Sequence, residues 1–115
     1  MQLEIKAGQD TESLVAFITD QLPDQALDSV DVKRELEDAE GLATEPVTIA
    51  AIITASGAIV ATVATLVAKW LEGQRQAKTI DLLIRGYKES PKAGDAVLAL
   101  AKTHAGVRVT SADLK

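Results

Sequence analysis

PVTIAAIITASGAIVATVATLVAKWLEG, residues 46–73, is the stretch on which the reading of this chain turns. Between Glu45 and Lys69 it carries no ionisable side chain, a run of 23 residues. Small residues recur in it at helical spacing. Ala50, Thr54, Gly57, Ala61, Ala64 and Ala68 follow one another at steps of 4, 3, 4, 3 and 4, which sets them in one narrow stripe of an α-helix. Ala51, Ala55, Ala58, Thr62 and Thr65 form a second stripe beside it. Ile52, Ile59, Val63, Leu66 and Trp70 occupy the other side. The pattern predicts one long Ala-rich apolar helix over about 46–73, with Thr44 as its cap and Pro46 in its first turn. Gly57 is its expected weak point or kink. One side of such a helix allows close backbone approach. The expected contact surface is therefore Ala50, Thr54, Gly57, Ala61, Ala64 and Ala68, completed by Trp70.

Toward the N-terminus, residues 2–7 alternate polar and apolar, so Leu3, Ile5 and Ala7 share one face of a strand. Gly8 and Gln9 turn the chain, and Asp10 is the expected helix cap. Leu14, Phe17, Ile18 and Leu22 mark a helix over 11–22 that Pro23 stops. Residues 29–36 alternate again, with Val30 and Val32 on one side of a short strand. Residues 37–45 read as an acidic loop.

Toward the C-terminus, Ile80, Leu82 and Ile84 fit a strand over 79–85. Ile80, Leu83, Ile84 and Tyr87 have helical spacing as well, but the clustered β-branched and Leu residues favour the strand. Ser90 and Pro91 open a helix whose expected buried face is Val97, Leu100, Ala101 and His104. Gly106 ends it, and residues 107–110 form a last strand. The expected architecture is a single small α/β domain over 1–115, in β-α-β-α-β-α-β order with some parallel pairing.

Composition excludes several functions. The chain has 115 residues, nineteen of them alanine, but only three aromatic rings: Phe17, Trp70 and Tyr87. A single-stranded nucleic-acid binder needs stacking rings and a basic groove, whereas the net charge here is −5. With no Cys and one His, no zinc knuckle, iron–sulfur site, disulfide scaffold or thiol nucleophile is expected. His104, at the end of an amphipathic helix, reads as structural. Ala55-Ser56-Gly57-Ala58 lacks the first glycine of a nucleophile elbow and the strand that should precede it. The segment from Ser90 to Asp95 lacks the spacing of a nucleotide loop and reads as an ordinary helix start. No catalytic residue, cofactor or metal is expected.

Charge is unevenly divided. Residues 1–45 carry a net −9 and residues 46–115 a net +4. Such a split fits an interface between opposite fields, or a topology across a membrane. In the membrane alternative, residues 46–68 would extend roughly 35 Å as a helix, against about 30 Å of hydrocarbon. Lys69, Arg75 and Lys78 follow the run and would hold the C-terminus inside the inner membrane. The many Ala and Thr residues keep hydropathy moderate, which favours a protein-buried helix in a cytoplasmic protein. A domain this small leaves part of that helix uncovered, so a second copy or a protein partner is expected to cover it. Glu4 and Lys6 interrupt the start of the chain, so no leader peptide is expected.

Two stretches together resemble the effector-associated constant component family of bacterial conflict systems. They are Met1-Gln-Leu-Glu-Ile-Lys and Ser56-Gly-Ala-Ile-Val-Ala-Thr-Val-Ala-Thr-Leu-Val-Ala-Lys-Trp-Leu-Glu-Gly-Gln-Arg. The resemblance spans roughly residues 1–85. It implies a strand, a helix, a second strand and a Gly/Ala-rich helix ending in Trp-Leu. It also implies a non-catalytic adaptor that recruits a protease-like or other effector, and it transfers no catalytic residue.

Overall fold

The computed structural model describes residues 1–37 and 47–112. The alternation at the start of the chain makes strand β1, Gln2–Lys6, with Leu3 and Ile5 fully buried. Gly8, at φ 58°, turns the chain into helix α1, Thr11–Gln21, which buries Leu14, Val15 and Ile18. Thr11 closes that turn. It accepts from the Ala7 N–H at 3.0 Å and donates to the Gly8 carbonyl at 2.8 Å. Asp10, the expected cap, makes no capping bond and instead faces Lys78 at 3.2 Å. Leu22 and Pro23 end α1 as expected. A single helical turn, α2 (Asp24–Leu27), then leads into strand β2, Asp31–Glu37.

The stretch 46–73 is not one helix. Residues Val47–Thr54 form strand β3, and the helix, α3, spans Gly57–Glu72. Six of the eight β3 residues are β-branched, and such side chains lose rotamer freedom in a helix but pack well on a pleated surface. Ser56 makes the boundary: its backbone is extended and its Oγ accepts from the Ile59 N–H at 3.4 Å. Gly57 is thus the first residue of a helix, not a kink within one. The expected features at Thr44 and Pro46, and most of the acidic loop, lie outside the described residues. At 16 residues α3 is about 24 Å long, short of a hydrocarbon core. No helix among the described residues is long and apolar enough to cross a membrane.

Strand β4 (Ile80–Arg85), helix α4 (Pro91–Thr103) and strand β5 (Val107–Ser111) follow, close to where the sequence places them. Pro91 takes the first helical position. Val97 and Leu100 are buried on α4 as expected, but Ala101 is exposed and His104 is half-buried at the helix end. Gly106 is obligatory there, because a Cβ would overlap the Lys78 carbonyl.

The five strands form one mixed sheet in the order β2-β3-β1-β4-β5. Three neighbouring pairs are antiparallel, and only β4 and β5 run parallel. The element order is therefore β-α-β-β-α-β-α-β, not the expected strict alternation, because β2 and β3 meet as neighbours. The part from β1 to β4 is a split β-α-β arrangement, extended by α4 and β5. Leu3 aligns with Ile53 and Ile84, and Ile5 with Ala51 and Leu82. This face is covered by α1, α3 and α4 through Leu14, Val60, Val63, Val67 and Val97, in one apolar core. The other face presents Gln2, Glu4, Lys6, Lys33, Asp81 and Arg108. At Glu35 and Leu36 the β2–β3 register shifts and leaves Ile49 as the extra, 40% exposed residue of a bulge.

Candidate interaction surfaces

The expected contact stripe is divided between two layers. Ala50 and Thr54 sit on β3, with Ala50 buried and Thr54 at the sheet end beside Gln2 and Arg85. Ala64 and Trp70 are buried in the core, Trp70 being 6% exposed, and Ala68 packs against that core. The structure brings only Gly57 and Ala61 of the stripe to one accessible place.

That place is where α3 and α4 begin. β3 and β4 run in the same direction, each antiparallel to β1, so the helices that follow them also lie parallel, start beside start. Gly57 permits the contact. A Cβ there would overlap Ser90 Oγ and lie 2.5 Å from Ser90 Cβ, with Ala93 Cβ at 3.6 Å. The close approach expected of the small stripe is thus made within the chain, between α3 and α4. Next to the contact a groove of about 470 Å³ opens, lined by Gly57, Ala58, Ala61, Ser90, Lys92 and Ala93, with Pro91 at its wall. Its floor is apolar because these side chains are small. Sequence reasoning reached Ser90 and Pro91 as a helix start, but nothing local set them against Gly57.

Two other clusters have different characters. On the sheet face away from the helices a shallow depression of about 380 Å³ is lined by Glu4, Lys6, Asp81, Leu83, Arg108 and Thr110. There Arg108 Nε donates to Asp81 Oδ1 at 3.0 Å. Near the ends of α3 and α4 a groove of about 350 Å³ holds Arg75, Lys78 and His104. Arg75, just past the end of α3, suits the exposed carbonyl dipoles there, and Lys78 pairs with Asp10.

Two polar ties stand out, one between the layers and one at the start of α4. Glu12 on α1 accepts from Arg34 Nε at 2.9 and 3.1 Å and from Thr48 Oγ1 at 3.0 Å, joining α1 to β2 and β3. The Arg34 hydrogen bond lowers the Glu12 carboxyl below its ordinary value, with partial burial opposing and Thr48 assisting. In the turn before α4 the phenol of Tyr87 donates to Asp95 on that helix at 2.5 Å, and this bond raises the tyrosine above its ordinary value. Gly94 makes room for the Tyr87 ring, which a Cβ would overlap. Among the described residues no group of three His, Asp or Glu side chains is placed to hold a metal ion. No protein family, curated protein or solved structure matches this chain.

Proposed function

We propose that this protein is a non-catalytic adaptor or assembly module that recruits a partner effector in a bacterial conflict, defence or signalling system. Its grip is the groove between the first turns of α3 and α4. The single observation that supports this reading is that groove: about 470 Å³, apolar, floored by residues too small to fill it. A partner side chain that enters it buries apolar surface against Gly57, Ala58 and Ala61 with little rearrangement. The resemblance of residues 1–85 to the effector-associated constant components supports the effector as partner, and the module then works beside it in the cytoplasm.

The test is to fill the groove. Ala61→Leu, alone and with Ala58→Leu, should weaken capture of the protein encoded beside this chain at least tenfold, about 1.4 kcal/mol or more. Thermal unfolding should hardly change, since Ala58 is exposed and Ala61 only half-buried. Undiminished capture by the double variant would place the contact elsewhere.

A further inference from the structure

The sheet has two open edges of opposite charge. Among the described residues β2 pairs only with β3, and β5 only with β4. On β2 and the end of α1 and α2 that lead into it, exposed Asp20, Asp24, Asp28, Asp31 and Glu35 outnumber exposed Lys33 and Arg34. Around the β5 edge, Lys88, Lys92, Lys102 and Arg108 outnumber Glu89 and Asp95. The two edge segments therefore carry opposite net charge.

Direction and register agree with the charges. β2 runs parallel to β1, whereas β4 and β5 run against it, so β2 and β5 are mutually antiparallel. Arg34, Ala51, Ile5, Leu82 and Val109 make one complete row across the five strands. One step along, Glu35 aligns with Ala50, and Arg108 aligns with and bonds Asp81; Glu35 and Arg108 are both exposed and lie on the face away from the helices. The step after that reaches Leu36 on β2, 57% exposed, and Val107 on β5.

We infer that copies of this chain join head to tail, the β2 edge of one against the β5 edge of the next. The junction is an antiparallel ladder with Glu35 opposite Arg108, and Leu36 covered beside Val107. It satisfies the outward N–H and C=O groups of both edge strands. Opposite charges directly across an antiparallel pair are favourable, and like charges there are unfavourable. Because the two surfaces differ, the association is heterologous and grows as a ladder unless a rotation closes it. This inference does not rest on the groove: Ala61→Leu should leave the ladder unchanged.

The experiment is sedimentation velocity over rising protein concentration at low and high salt. The wild-type weight-average mass should pass that of a dimer at low salt and fall in high salt, as screening weakens the edge charges. Glu35→Lys and Arg108→Glu should each weaken association about tenfold. Both positions are exposed, and circular dichroism should show both variants folded. Mixing the two variants, or combining both substitutions in one chain, should restore growth, because each junction again joins opposite charges. A wild-type monomer at millimolar concentration would overturn the inference, as would a discrete dimer that grows no further. Single reversals that leave association intact, or a mixture that stays dispersed, would do so too.

Discussion

β3 and the first three turns of α3 are adjacent, uncharged and rich in the same small and aliphatic residues, yet one is a strand and the other a helix. In β3 six of eight residues are β-branched, and its three-residue sequence neighbourhoods hold no Leu or Met to favour a turn of helix. In α3 only six of sixteen residues are β-branched and Ala and Leu break them up, so that Val60, Val63 and Val67 turn inward while Ala58, Thr62 and Thr65 face out. Thr62 and Thr65 return their hydroxyls to the carbonyls of Ala58 and Ala61, which a helix permits. Two residues separate the elements, Ala55 and Ser56, and the serine supplies the cap. Composition over a window is thus a poor guide when a boundary with a good cap lies inside it.

The contrast can be broken first at the buried row of β3. Ile53→Ala should lower unfolding stability by about 2–5 kcal/mol, because Ile53 is 1% exposed between β1 and β2. Ile49→Ala, on the bulge of the same strand, should stay within about 0.5 kcal/mol. Urea unfolding of the two variants reads both values, and equal losses would mean that the bulge is not where the register shift places it. The start of α3 is the next test. Gly57→Ala gains about 0.5–1 kcal/mol of helix propensity, but overpacking against Ser90 and Ala93 costs about 1–3 kcal/mol. A net loss is expected, and a stabilised variant would show that α3 and α4 are not in contact there. The smallest effect sharpens the boundary itself. Ser56→Ala should cost about 1 kcal/mol through the lost cap, read as a lower thermal midpoint with little change in helical dichroism.

Local signals were enough for several elements. Gln2–Lys6 alternates over buried and exposed positions, α1 ends at Leu22 and Pro23, and Pro91 opens α4, each for reasons contained in a few residues. The interval 46–73 departs from its helical spacing for a physical reason. Where both faces of a strand carry apolar residues, period 2 and period 3.6 fit equally well, and β3 is nearly central in its sheet. The departure extends to the contact stripe, because Ala50 and Thr54 share helical spacing with Gly57 without sharing its element. Of the seven residues chosen for contact, Gly57 and Ala61 reach the groove, while Lys92 and Ala93 were legible only as part of a helix start.

By itself the sequence determined the alternating first strand, the end of α1 and the start of α4, the lack of cysteine, the scarcity of aromatic rings, and the uneven division of charge. Each of these is a property of residue type or of neighbours a few positions apart. The tertiary structure alone decided that β2 and β3 are adjacent, that α3 meets α4 at Gly57, and that acidic and basic residues stand at opposite edges of one sheet. Those facts depend on strand order, and strand order comes from burying Leu3, Ile53 and Ile84 together. These residues are distant in sequence, and no local pattern ties them to one another.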